Sequence, residues 1–281
     1  MNSKRTVLIT GCSDGSLGSA LAIAFHEAGL HVYATARNPD KMTKLAALGI
    51  ETLTLDVLSE SSISDCVSKL SSLDILVNNA GAGYNMPVAD MSIPEAKKLF
   101  DLNVWSYIAM TQAFLPLLLK SSKPMIVNHT SVSSVTVLPF QAAYSASKAA
   151  MAMLSDGLRL ELASFGVTVV EVKSGIVKSN FIGLMKEPTR LALPEGSIYE
   201  PARTAIEKAL AQESFVEAGM PNEEWARLVA RDLLKTRPPP VIWRGENAFL
   251  SRVAAHLPTG AVDGPVKRMS GLDAVEAMLR K

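Results

Sequence analysis

The stretch "TVLITGCSDGSLGSALAIAFHEAG", residues 6 to 29, decides how the chain is read. It opens on a β-branched apolar run, Thr6 to Thr10, passes glycines at 11, 15 and 18, and continues as an alanine-rich apolar pattern at helical spacing. The first part reads as a buried strand and the last as a helix, so the glycines stand at a strand-to-helix turn. Gly11, Gly15 and Gly18 let the backbone turn sharply there, and the amides at the start of the helix point at an anion. A bare glycine triplet also describes an ordinary tight turn. What lies on either side separates the two readings.

The alternation repeats along the chain. "HVYATA" (31–36), "IETLTLD" (50–56) and "LDILVNN" (73–79) read as strands, with "PDKMTKLAALG" (39–49) and a polar segment between them as helices. Then come "VWSYIAMTQAFLPLLL" (104–119), the strand "PMIVNHT" (124–130), a long helix from about Ala143 to Phe165, and "VTVVEVK" (167–173). Parallel strands need a helical crossover between them, and that crossover is right-handed. The pattern therefore predicts an α/β fold of the Rossmann-like, doubly wound kind: about seven parallel strands with helices on both faces. In that setting the glycine turn reads as a cradle for a dinucleotide's phosphates.

From Phe181 to about Pro240 the alternation stops and Pro-punctuated helical segments such as "PARTAIEKALAQES" and "NEEWARLVARDLLK" take over, which reads as a substrate-covering helical insertion over 181–240. "RPPP" at 237–240 forces an extended stretch before the short strand "VIW". "AFLSRVAAHLPTG" (248–260) is amphipathic and reads as the final packed helix, with a peripheral lipid contact as the alternative. The whole of residues 1–281 is expected to form one domain.

Composition narrows the function. The chain of 281 residues is 48% hydrophobic and 20% charged, with a net charge of +1. That suits a large buried core, and no basic run offers a surface for nucleic acid. Cys12 and Cys66 are the sole cysteines, too few for a disulfide framework or a metal site. No apolar stretch approaches the roughly 18 residues of a membrane span, and no signal-peptide core follows the N-terminus. A cytoplasmic protein with a small-molecule partner and no metal is the expectation.

A dinucleotide site needs a group at the end of its second strand that chooses between a ribose hydroxyl and a 2′-phosphate. In "HVYATARNPDK" no carboxylate stands there; Arg37 does, with Lys41 close by. A guanidinium is a forked, permanent cation suited to phosphate, so NADPH is preferred over NADH. Asp14, inside the loop, argues the other way unless it caps the helix or pairs with Arg37.

"YSASK" (144–148) places Tyr144 and Lys148 four apart, on one helical face. Hydride delivery to a ketone creates an alkoxide, which an acid must protonate, and a neighbouring ammonium lowers a phenol's pKa. Tyr144 reads as that acid and Lys148 as its tuner. By itself such a pair is an ordinary surface feature, and its partners give it meaning.

The ordered set "TGxxxGxxG", "NNAG" (78–81), "LNVWS" around Asn103, "VNHTS" ending at Ser131, and "YSASK" resembles the short-chain dehydrogenase/reductase superfamily over roughly residues 5 to 180. Within it, the spacing after "TGCS" and the segment "IWRG" (242–245) are similar to a fungal branch of NADPH-dependent 1-acyldihydroxyacetone-phosphate reductases. The resemblance implies that Ser131 hydrogen-bonds the substrate carbonyl, Tyr144 donates the proton, Lys148 also holds the nicotinamide ribose, and Asn103 anchors a water relay. It implies cofactor contacts from Gly11, Ser13, Gly15, Leu17 and Gly18 in the loop, Asp56 at the adenine, Asn79 at the adenosine ribose, and Val177 with Ser179 at the carboxamide. It also implies a homo-oligomer. Two departures stand out. The loop carries one extra residue, Ser16 or Leu17, before the third glycine, and the usual Pro-Gly after the sixth strand is Ser174-Gly175, with Ser179 for the usual Thr.

His129, two residues before Ser131, reads as a strand histidine satisfied by its neighbours. "VTVLPF" (135–140) and the insertion suggest an apolar substrate, a lipid or a specialised-metabolite ketone. A cofactor-binding scaffold or a non-redox isomerase on the same fold is the alternative function.

Overall fold

The computed structural model describes residues 4–181, 192–212 and 218–279. Seven parallel strands form the central sheet: β1 (Thr6–Thr10), β2 (His31–Ala36), β3 (Glu51–Thr54), β4 (Ile75–Asn78), β5 (Met125–Ser131), β6 (Thr168–Ser174) and β9 (Val241–Arg244). Their order is β3-β2-β1-β4-β5-β6-β9, so the chain winds outward from β1 one way, then reverses at β4. The crevice at that reversal, beyond the carboxyl ends of β1 and β4, is where such sheets bind ligands. Two further short strands, β7 (Val177–Lys178) and β8 (Met220–Pro221), pair beside it.

Both faces of the sheet are covered, which is why its inner strands read as continuous apolar runs. Helix α1 (Leu17–Glu27) sits on one face, where Leu21 and Phe25 pack with Val7, Ile9 and Val32. After the short helix α2 (Thr43–Ala47), α3 (Glu60–Ser68) covers the other face, and beyond α4 (Ile93–Phe100) it is joined by α5 (Ser106–Leu118) and the long α6 (Ala142–Leu162). There Leu8, Leu76 and Ile126 meet Ile63, Met110 and Phe114.

Two expectations need correction. The segment expected as one insertion divides in two. Within it the helix Asn222–Leu233 buries Trp225, Val229 and Leu233 in the α1-side core, so it is a crossover helix between β6 and β9. Its apolar stripe faces the sheet; the prolines that flank it mask the alternation. The part of the insertion at 182–191 and 213–217 lies outside the described residues. Between them, the helix Arg203–Leu210 packs Ile206 and Leu210 with Leu193, Ala202, Phe140 and Val275 in a third, separate apolar cluster.

The second correction concerns the C-terminal region. Helix Ala248–Ala254 is not the last, since Asp263–Ser270 and Leu272–Leu279 follow. Its amphipathic pattern is real, but Phe249, Leu250 and Val253 are exposed instead of packed. The last helix is instead anchored by Val275. Among the described residues no helix is long and apolar enough to cross a membrane. Cys12 and Cys66 are free and buried. Burial pushes the Cys12 thiol up to about 12 and that of Cys66 to about 11, so neither is a nucleophile near neutrality.

Candidate active site

The glycine turn is built by clashes that a side chain would cause. Gly11 has φ +74° and its Cβ would lie 2.9 Å from the Ala80 backbone. A Cβ at Gly18 would sit 2.5 Å from the Gly11 carbonyl oxygen and 2.6 Å from Asn79 Nδ2. The extra loop residue is absorbed by a cap: Ser16 Oγ accepts from Ser19 N at 3.1 Å and donates to the Gly11 carbonyl at 2.9 Å. Helix α1 therefore starts at Leu17 with its first amides open toward the crevice. Asp14 neither caps α1 nor pairs with Arg37. Its Oδ2 accepts from Thr43 Oγ1 and Lys44 N, which fastens the loop to the start of α2.

Behind the loop runs a chain of hydrogen bonds. Asn79 Nδ2 donates to the Thr10 carbonyl at 2.7 Å and to that of Gly11 at 3.3 Å. This fixes Asn79 Oδ1 as an acceptor facing His129 Nδ1 at 2.8 Å, so that ring nitrogen carries the proton. His129 Nε2 then accepts from Ser174 Oγ at 2.7 Å. Burial, with the Lys148 cation nearby, holds His129 down at about 3, neutral at any working pH. His129 is thus the satisfied strand histidine expected. The chain ties the exits of β1, β4, β5 and β6 to one another.

Tyr144 and Lys148 lie one turn apart near the start of α6. The Lys148 ammonium is 5.9 Å from the centroid of the Tyr144 ring and donates to the His129 carbonyl at 3.0 Å. Ser131 Oγ accepts from Ser133 N at 3.1 Å, which orients the hydroxyl at the end of β5. The sign of one expected shift is reversed. Burial pushes the Tyr144 phenol up, and the hydrogen bond with Ser131 pulls the other way without cancelling it. Tyr144 is therefore kept protonated, the form a proton donor needs. Burial also brings Lys148 down to about 8, with the Glu171 carboxylate opposing that fall.

Asn103 sits in a single π-helical turn, Asp101–Trp105, between α4 and α5. Such wide turns are concentrated at functional sites. The side chain is fully engaged: Oδ1 accepts from Ala82 N at 2.9 Å, while Nδ2 donates to the Ala82 carbonyl and to Ser147 Oγ. Asn103 Oδ1 and Lys148 Nζ both lie within 4 Å of where a Gly81 Cβ would stand. Gly81 is thus the floor that lets the two approach.

A cavity of about 370 Å³ gathers most of these groups. Gly11, Ser13, Leu17, Arg37, Asp56, Asn79, Ser131, Tyr144, Lys148, Val177 and Ser179 all line it. Gly15, Gly18 and Asn103 do not: Gly18 and Asn103 are buried behind the wall, and Gly15 is exposed in the loop. Arg37 is exposed at the rim and has no hydrogen-bonded partner among the described residues. A narrow, side-chain-free turn, a helix start facing the crevice and a free guanidinium at its end fit a dinucleotide with a 2′-phosphate. Of "VTVLPF", only Leu138 lines the cavity; Val135 and Val137 are exposed, and Phe140 is buried in the third cluster. Val132, Ile176 and Phe181 supply the other apolar wall.

Two features escaped the sequence reading. Glu171 and Lys173 form a buried pair at 2.5 Å, joined by Thr130 and Ser134. Alternation along β6 was the signal, since both face the α6 side of a strand whose neighbours are apolar. The other is Gln141, buried at 7% exposure in the cavity wall just before Tyr144.

With this geometry in place, similarity to known proteins is informative. A sequence model described as short chain dehydrogenase matches residues 5–188. A short-chain dehydrogenase/reductase of Pestalotiopsis microspora is 53% identical, over 100% of this chain and 99% of its own. An NADPH-dependent 1-acyldihydroxyacetone phosphate reductase of Schizosaccharomyces pombe is 39% identical, over 92% of this chain and 91% of its own. Among solved structures, a short-chain dehydrogenase from Streptomyces avermitilis superposes with a TM-score of 0.75 at 25% identity, covering 99% of this chain and 98% of that one.

Proposed function

The chain belongs to the short-chain dehydrogenase family of oxidoreductases, and from that premise we propose that it reduces a ketone or aldehyde on a largely apolar molecule to the alcohol, with NADPH as reductant. The observation that carries the reading is the convergence of Ser131, Tyr144 and Lys148 on the same cavity as the glycine turn and Arg37.

Each of the chain's residues then has a task. Gly11, Ser13 and Leu17 would hold the pyrophosphate at the start of α1, Asp56 and Asn79 the adenosine, Arg37 the 2′-phosphate, and Val177 with Ser179 the carboxamide. When bound, NADPH supplies the hydride. Ser131 donates a hydrogen bond to the carbonyl oxygen and polarises it. Tyr144 passes its phenolic proton to that oxygen as negative charge develops there, and the Lys148 cation steadies the resulting phenolate. Asn103 braces the wall behind Lys148. Val132, Leu138, Ile176 and Phe181 exclude water and select an apolar body, a lipid or a specialised-metabolite ketone.

The test is NADPH consumption across a panel of aliphatic and polycyclic ketones, with Tyr144→Phe as partner. The variant is expected to lose at least about 100-fold in kcat and to bind NADPH within a few-fold of the parent. Undiminished turnover in Tyr144→Phe would overturn the assignment of the proton donor.

A further inference from the structure

We propose that Gln141 reads a second polar group on the substrate, so that the preferred carbonyl compound carries an oxygen function one to three bonds from the reacting carbonyl. This rests on the reductase reading and deepens it. Gln141 lines the catalytic cavity at 7% exposure, and its side-chain amide makes no hydrogen bond with any described residue. A primary amide offers two donors and two acceptor sites, and this one opens onto the cavity, where a bound molecule can use them. Its backbone, by contrast, is fully used: N donates to the Leu138 carbonyl and the carbonyl accepts from Ser145 N.

The residue before it shows that the placement is enforced. Phe140 has φ +68°, a left-handed conformation that a bulky residue avoids. It is held there by its side chain, buried with Leu193, Ile206, Leu210 and Val275, and by Met86 N, which donates to its carbonyl at 2.7 Å. Strained backbone that is overdetermined on both sides is found where a neighbouring side chain must be aimed. The residue so aimed is Gln141, one turn before Tyr144. From the N-cap of α6, three residues before the proton donor and on the wall of the same cavity, its amide is placed for a group close to the reacting carbonyl.

Ester carbonyls, hydroxyls and second ketones all satisfy this amide; a plain hydrocarbon flank leaves it desolvated and unpaired. Sites built to hydrogen-bond a group reject analogues that lack it far more strongly than apolar pockets reject an extra atom. The experiment compares methyl 3-oxooctanoate with 3-octanone, which share the chain and the ketone position, in the parent and in Gln141→Leu and Gln141→Asn. The ratio of kcat/KM, keto ester to ketone, is expected to fall by about 10- to 100-fold in Gln141→Leu. The ratio is read whatever the absolute rate on 3-octanone, and Gln141→Asn restores part of it. An unchanged ratio, or an equal loss on both ketones, overturns the proposal.

A second arm separates this inference from the reductase reading. Calorimetry on the NADP-loaded protein measures binding of methyl 3-hydroxyoctanoate against 3-octanol. If the parent consumes NADPH with no ketone of the panel, the reductase reading falls, and the binding ratio decides the amide. A ratio lowered in Gln141→Leu supports its role, and an unaltered ratio ends it.

Discussion

Lys148 is where the chemistry of single residues is most exposed to test. Its ammonium is buried against the His129 carbonyl, near the rings of Tyr107 and Tyr144, and the carboxylate that sustains it is Glu171, itself shared with Lys173. Burial sets its ionisation at about 8, whereas the unfolded value is 10.5. Below about 8 the cation is present; above it, the folded protein has lost it. Tyr144 is pushed up and His129 down to about 3, so neither titrates in that interval. The expected pH profile of kcat/KM for ketone reduction is therefore flat through neutrality and falls above about pH 8. Stability runs the opposite way. Between 8 and 10.5 the unfolded chain binds a proton at Lys148 that the folded one does not, so this residue's contribution to unfolding free energy rises with pH over that range. Glu171→Gln removes the opposing carboxylate and should move the kinetic break to lower pH. Rate profiles of the parent and Glu171→Gln check this, and a break that stays in place shows that Lys148 does not govern it.

At the scale of elements, the glycine turn makes a contrast between two glycines that look alike in sequence. Gly18→Ala would gain about 1 kcal/mol of helix propensity, yet its Cβ meets the Gly11 carbonyl and Asn79 Nδ2, both fixed by hydrogen bonds. Gly15 has φ +80°, but a Cβ there finds nothing closer than Asn180 at 3.8 Å. Gly15→Ala should thus cost only its left-handed strain, about 1–2 kcal/mol, and bind NADPH nearly as the parent does. Gly18→Ala should lose at least tenfold in NADPH affinity, measured by calorimetry, because loop and helix must part. Equal effects from the two would show that the turn is not held by that contact. The strand, turn and helix themselves were readable because period 2 gives way to period 3.6 across the glycines. The path of the extra residue was not, since it depends on a serine hydroxyl folding back onto a carbonyl five residues earlier. Similarly, the direction of the Tyr144 shift was hidden because burial is a property of the assembled cavity and no spacing encodes it. Gln141 was overlooked because a glutamine at a helix entry looks like any loop residue until Phe140 is seen in its left-handed conformation.

Across the whole molecule, the sheet and its two covered faces were legible from repeated alternation, whereas the division of labour within 181–240 was not. Prolines obscured the crossover helix Asn222–Leu233, whose apolar stripe belongs to the main core. What distinguishes the cover is a separate cluster that joins distant parts of the chain: Phe140 before α6, Leu193, Ile206 and Leu210 in the cover, and Val275 in the last helix. Asn85 Nδ2 adds a bond to the Leu210 carbonyl at 2.9 Å, and Ser197 Oγ one to Asp90 at 2.7 Å, tying the cover to the loop after β4. Since Phe140 positions the entry to α6, the last helix supports the substrate end of the cavity from a distance and leaves the cofactor end alone. Val275 is fully buried, so Val275→Ala should weaken this docking by about 1–2 kcal/mol. Val275→Asp, which buries an unpaired carboxylate, should release the last helix outright. Both are expected to raise KM for the ketone, Val275→Asp by about tenfold or more, with NADPH affinity within twofold of the parent and the main thermal transition little moved. Steady-state kinetics beside NADPH titration reads the two ends separately. If NADPH affinity falls in step with ketone KM, the cluster is part of one continuous core; if neither changes, the cover does not depend on the final helix.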